Sequence, residues 1–229
     1  MNDFPASAYV FLHPCRTFEE FVVGPSNQEA YDKARSISQG PQPKRVLWIY
    51  GEPGVGKTHL LQAIAHSIIT LYSAMPLCYV GAEEFAQESI AAFKDPDAGV
   101  LRDFYVKYGD LEFLLIDSIQ LFLGSWKRRS WKRFGKHGFL FVANDIIKHD
   151  GEVPRYLIVT ADRPPSQFPS DVEGLAIRPL FCRQTTDVVK IESHDQALQF
   201  AIQRHKKRFR RARGRELPAK SLVEGPRWN

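Results

Sequence analysis

Cysteine is scarce in this sequence: Cys15, Cys78 and Cys182 are the three in 229 residues, with no CxxC pair among them. That excludes a disulfide scaffold and makes a reducing, cytoplasmic compartment the expectation. Long apolar runs are missing as well. No stretch approaches the ~20 residues of a helical membrane span. The short apolar stretch at 8–12 has no basic residue before it, so the start does not read as a secretory signal. Neither G-x-S-x-G nor H-E-x-x-H occurs. His59 and His66 share a helix face but have no acidic or cysteine partner at ligand spacing, which argues against zinc. No internal repeat is visible.

What is present is a hydrophobic fraction of 44%, which excludes wholesale disorder, in a chain long enough for one large domain or two small ones. The formal charge of +5 is unevenly placed. Residues 126–137 hold six basic residues and residues 204–215 hold eight, with no acid in either. Outside them 17 basic residues face 26 acidic ones, a net of −9. The sequence therefore describes an acidic globule carrying two concentrated basic segments.

Short apolar strands and helical patterns alternate. Strands are legible at Val46–Tyr50, Leu77–Val80, Phe113–Ile116, Tyr156–Thr160 and Asp187–Ile191. Leu60, Leu61, Ile64, Ala65, Ile68 and Ile69 repeat at helical spacing after the first, and further helices fit Glu83–Phe93 and Gly99–Tyr108. Glu83 and Glu84 suit the first turn of such a helix, where negative charge is favoured. Strands this apolar are covered on both faces, so the pattern predicts an α/β fold with a parallel sheet. The expected division is an N-terminal segment 1–16, a core 17–213 with a basic insertion at 125–137, and a flexible tail 214–229.

The sharpest motif is Gly51-Glu52-Pro53-Gly54-Val55-Gly56-Lys57-Thr58, which fits G-x-x-x-x-G-K-[ST], the P-loop. Its glycines let successive backbone N–H groups turn toward a phosphate, and the following helix offers its positive end. Lys57 neutralises phosphate charge and Thr58 offers a hydroxyl to Mg²⁺. Such a loop needs a carboxylate at a second strand end for the Mg²⁺ shell. Leu114-Leu115-Ile116-Asp117 supplies one. The next residue is Ser118, where many P-loop ATPases carry an acid that polarises water. ATP binding with slow or absent hydrolysis is the expectation.

The stretch Thr17-Phe18-Glu19-Glu20-Phe21-Val22-Val23-Gly24-Pro25-Ser26-Asn27, with Ala30, Gly51–Leu61, Phe104, Tyr108, 114–120 (LLIDSIQ) and 160–165 (TADRPP), resembles the AAA+ domain of the bacterial replication initiator DnaA over roughly 16–216. The resemblance implies a five-stranded parallel AAA+ sheet flanked by helices. It implies ATP/ADP and Mg²⁺ as cofactors, with the 21–27 stretch, Val22, Val23 and Asn27 among it, flanking the adenine. Gly51, Gly54, Val55, Gly56, Lys57, Thr58 and His59 would form the phosphate side, and Thr58 and Asp117 the metal side. Asp162 matches the sensor 1 region, and Arg178 the arginine finger that reaches a neighbouring subunit's nucleotide.

Against the family pattern, four departures are expected. The acidic pair is Asp117-Ser118, as in the Hda-type paralogues, which also lack the second acid. The N-terminal helicase-interaction domain, the C-terminal helix-turn-helix domain and the helical lid are not recognisable. Beyond these four, the interval after Asp117 is longer than the family's by about a dozen residues. It carries Trp126, Lys127, Arg128, Arg129, Trp131, Lys132, Arg133 and Phe134. Cations interleaved with aromatics suit single-stranded nucleic acid, by phosphate neutralisation and base stacking; the competing reading is a solvated loop. Arg208, Arg210 and Arg211 crowd the end of a last helix, more cations than dipole compensation needs, and fit backbone contact with DNA or RNA.

The function expected is a DnaA-like ATP-binding protein of replication initiation or its regulation. It would assemble on DNA, on a DnaA-type initiator or on itself, with no membrane partner. The alternatives are a helicase-loader or transposition-helper ATPase of the DnaC/IstB kind, and a non-hydrolysing AAA+ interaction module.

Overall fold

The structure, a computed structural model, describes residues 12–72, 75–95, 97–123, 135–168 and 184–213. The chain divides into two compact units, Met1–Ser193 and His194–Asn229.

In the first unit the order is α1 (Gln28–Gln39), β1 (Val46–Gly51), α2 (Lys57–Leu71), β2 (Leu77–Gly81), α3 (Ala82–Lys94), α4 (Ala98–Gly109) and β3 (Phe113–Asp117). A single turn, α5 (Gln120–Leu123), then α6 (Lys136–Lys148), β4 (Tyr156–Ala161) and β5 (Thr186–Ile191) complete it. All strand pairings are parallel and the spatial order is β2-β3-β4-β1-β5. The expected five-stranded parallel sheet flanked by helices is therefore what the chain forms.

Strand residues alternate between two cores, as a period of two dictates. Val46, Trp48, Leu114, Ile116, Leu157 and Val159 face one side, under Phe85 of α3, Phe104 and Tyr108 of α4, and Phe139, Val142 and Ile146 of α6. Leu47, Ile49, Leu115, Ile158 and Val189 face the other, under Ala30 and Ala34 of α1 and Leu60, Leu61, Ile64 and Ile68 of α2. β5, one of the two edge strands, is the strand that carries exposed positions.

Burying both faces leaves the carboxyl ends of the strands as the place where loops gather. In open parallel sheets that edge holds ligands where strand order reverses. Here the chain leaves β1, runs out to β2 and returns through β3 to β4 beside it, so the tips of β3, β4 and β1 are neighbours.

The second unit is described through α7 (Gln196–Arg213). Asp195 caps it, its carboxylate accepting the Leu198 N–H at 2.7 Å.

Candidate functional site

The loop after β1 has the backbone that the sequence requires. Gly56, at φ 104°, caps α2 in the left-handed region, and no side chain bonds to that helix start. A Cβ at Gly56 would stand 3.0 Å from the Phe21 ring, and one at Gly51 would run into the Ile191 carbonyl of β5. The glycines therefore allow close approach on both sides as well as the turn. First-turn N–H groups of a helix have no partner within it, so α2 presents donors and a positive end at this loop.

Lys57 opens α2 and folds over the loop, donating to the Gly51 carbonyl at 2.8 Å and the Glu52 carbonyl at 2.7 Å. Partial burial lowers the ammonium's pKa, and the carboxylates of Asp117 and Asp162 push it back up. The tips of β1, β3 and β4 thus bring one cation and two carboxylates within electrostatic reach. Thr58 follows, half-buried, and Val55 is buried within the loop. The Glu52 carboxylate accepts a bond from Ser193 Oγ at 2.7 Å just beyond β5.

Asp117 ends β3. Its Oδ1 accepts from the Thr160 hydroxyl, and its Oδ2 from the Tyr79 hydroxyl at 3.4 Å. Ser118 has φ 65°, the one positive φ outside glycine among the described residues. Its N–H donates to Thr160 Oγ1 at 2.7 Å and the Ile119 N–H to the Thr160 carbonyl at 3.0 Å, so β4 holds the turn. Asp162, just past β4, is gripped by the Arg163 guanidinium through bonds of 2.9 and 2.7 Å. The Arg163 carbonyl accepts the buried Trp48 indole N–H at 3.0 Å, which fixes that corner to β1.

The stretch 21–27 is fastened to the same loop. Asn27 is buried; its amide donates to the Val22 carbonyl at 3.0 Å and accepts the Gly24 N–H at 2.8 Å. The Ser26 carbonyl takes the Glu192 N–H, tying the stretch to β5. Phe21 packs edge-on against His59 at 5.2 Å and stacks on Tyr31 at 6.0 Å. His59 meets the Thr17 carbonyl at 2.9 Å, and burial lowers its pKa. Asn27 is thus the hub of this stretch, while Val23 is exposed.

The residues singled out from sequence thus fall into two sets. Val22, Val23, Asn27, the Gly51–His59 loop, Asp117 and Asp162 surround the β3, β4 and β1 tips. Trp126, Lys127, Arg128, Arg129, Trp131, Lys132, Arg133 and Arg178 lie outside the described residues, as do the side chains of Arg208, Arg210 and Arg211 on α7. One boundary shifts: residues 136 and 137, assigned to the basic insertion, begin α6, where Lys136 is buried because the turn faces the core beside Phe139. Tyr79 and Gln62 carried no motif, and Thr160 and Thr17 stood in recognised stretches with no role of their own. Their contacts span 17 to 43 residues, which periodicity cannot reveal.

The chain is similar to known proteins in sequence and in fold. The family described as the bacterial DnaA ATPase domain matches residues 12–178. The chromosomal replication initiator protein DnaA of Campylobacter jejuni is 35% identical over 170 residues, 73% of this chain and 35% of that protein. The chain thus spans about a third of the length of such curated relatives. Domain III of Thermotoga maritima DnaA superposes with a TM-score of 0.73 at 29% identity, over 91% of this chain and 78% of that one. AMPPCP-bound DnaA from Aquifex aeolicus superposes with 0.66 at 25% identity, over 93% and 59%. Among the described residues no helix is long and apolar enough to cross a membrane, and no cluster of His, Cys, Asp and Glu is set for a metal by itself.

Proposed function

The chain belongs to the bacterial DnaA ATPase-domain family, and from that premise we propose that it binds ATP and ADP with Mg²⁺ and acts in replication initiation or its control. It does so by nucleotide-dependent assembly on DNA, on initiator subunits or on itself. The observation that carries the reading is a loop in which a Cβ at Gly51 or Gly56 would be obstructed, with Lys57 folded onto its carbonyls and Asp117 at the end of β3, two strands from β1.

The residues present fit the group. Backbone N–H groups of 54–58 and the α2 end suit a polyphosphate, and Lys57 suits its charge. Thr58 and Asp117 would hold Mg²⁺, which when bound neutralises phosphate charge and orients the terminal phosphates. The 21–27 stretch, pinned by Asn27, would flank the base. The AMPPCP-bound Aquifex relative supports this assignment. Asp162, its carboxylate oriented by Arg163, would sense the terminal phosphate.

Ser118 sets the rate. A serine hydroxyl does not take a proton from water as a carboxylate does, so turnover is slow or absent while binding is kept. DNA contact belongs to the basic segments at 126–133 and on α7, through phosphates and without sequence readout. Arg178 would act on a neighbour's nucleotide. The family match favours this reading over a helicase loader, and Ser118 favours a second one, a non-hydrolysing interaction module.

Titration of ATP and ADP, with and without single-stranded DNA, separates these. Wild type binds saturably, and Lys57→Ala loses about 10-fold or more in affinity, since charged hydrogen bonds are worth ~1.5–3 kcal/mol. Turnover of ~1 s⁻¹ or more by wild type but not by Lys57→Ala overturns slow hydrolysis. An absence of saturable binding leaves the interaction module.

A further inference from the structure

Asp117 is approached from both sides by hydroxyl groups, one from β4 and one from β2. Thr160 in β4 is fully buried. Its oxygen accepts the Ser118 N–H at 2.7 Å, and its single proton goes to Asp117 Oδ1. On the other side, in β2, Tyr79 accepts a bond from the Gln62 amide at 2.9 Å and donates to Asp117 Oδ2. Gln62 in turn accepts the His13 N–H at 3.0 Å. Each donor in this chain, from His13 through Gln62 and Tyr79, points toward the carboxylate. Bonds that end on a charged acceptor are the strong ones, and the Thr160 bond to Oδ1 is of that kind; the Tyr79 bond to Oδ2, at 3.4 Å, is long and weak.

A carboxylate at a strand end is otherwise free to rotate about its last bond. With one donor on each oxygen it has one orientation, and each oxygen keeps a lone pair for a cation shell. We propose that Thr160 is the positioning residue for Asp117, with Tyr79 as its second support. Together they fix the direction in which Asp117 meets Mg²⁺. This rests on the nucleotide reading of the site. It extends that reading to two residues that touch neither nucleotide nor metal. Thr160 also ties the turn that follows, because its carbonyl accepts the Ile119 N–H. A change at Thr160 therefore reaches Asp117 and Ser118 together.

The test is the Mg²⁺ dependence of ATP binding by the full chain, for wild type, Thr160→Val, Thr160→Ser and Tyr79→Phe. Affinity is measured in EDTA and across an Mg²⁺ titration, with thermal unfolding of each protein alone as the folding control. Thr160→Val is expected to raise the Mg²⁺ midpoint about 10-fold or more, as loss of a ligand's supporting partner does, while its affinity in EDTA stays at the wild-type level. Thr160→Ser restores the midpoint, and Tyr79→Phe shifts it in the same direction by less.

A Mg²⁺-dependent wild type matched by Thr160→Val overturns the inference alone. So does an equal loss with and without Mg²⁺, which marks a structural role. A wild type that binds ATP without Mg²⁺ dependence, or not at all, overturns the reading of the site and the inference with it. Should Thr160→Val fail to fold, Tyr79→Phe decides, and an unchanged midpoint overturns the proposal.

Discussion

Ser118 is both the main chemical departure of the site and its one strained residue. A non-glycine residue at φ 65° costs about 1–2 kcal/mol, offset by the two bonds to Thr160. Aspartate tolerates that conformation better than most side chains, so Ser118→Asp keeps the turn and adds the missing acid. Phosphate release from ATP is expected to rise about 100-fold, the low end of what a positioned base contributes. An unchanged rate would place the limiting step elsewhere. His59 gives a second residue-scale consequence. Burial lowers its pKa, Arg16 and His13 lower it further, and the Thr17 carbonyl and Glu20 oppose them. The folded chain therefore takes up this proton less readily than the unfolded chain, whose value is 6.5. Stability from His59 is present above 6.5 and is lost as pH falls below it, toward the lowered folded value. Denaturant midpoints at pH 7.5 and 5.5 check this: the fall is expected to be larger in wild type than in His59→Gln. The residues of the phosphate loop were legible because their order along the chain is the motif. Tyr79 and Gln62 were not, because what defines them is a neighbour brought by another strand or helix.

Packing between elements leaves little slack where α6 crosses α3 and α4. A Cβ on Gly138 would run into Ser89 Oγ and stand 3.1 Å from the Phe104 ring. Alanine favours a helix over glycine by about 1 kcal/mol, yet overpacking here costs about 1–3 kcal/mol. Gly138→Ala is therefore expected to lower stability in chemical denaturation, and a gain would show that the crossing adjusts. Strands were the readable elements: each was expected within a residue or two of where it lies, since apolar runs bounded by polar loops admit one reading. α1 escaped because its buried stripe is thin, made of Ala30, Ala34, Ile37 and Ser38. α6 escaped as a whole, and its first turn was assigned to the basic insertion because Lys136-His137 continue a basic run, which composition places in solvent.

Charge and strand order are properties of the whole molecule. An acidic body with two basic segments binds a polyanion only where the cations are, so affinity for single-stranded DNA is expected to fall with salt, with a log–log slope of about −0.7 per phosphate engaged. Replacing the five basic residues of 127–133 by glutamine should flatten that slope. Affinity that is level from low to high salt would remove DNA from the partners. The sheet order has a consequence for synthesis. β1 is followed at once by the phosphate loop, but its neighbours are β4 and β5: Val46 pairs with Leu157 on one side and Thr186 on the other. On the ribosome the loop therefore emerges early and stays without a frame until most of the chain has been translated. A nascent chain stalled before β4 would display β1 as a bare apolar strand, a natural client for chaperones. The frame of β1 is complete only once β5 has been made, up to the pairing of Gly51 with Ile191.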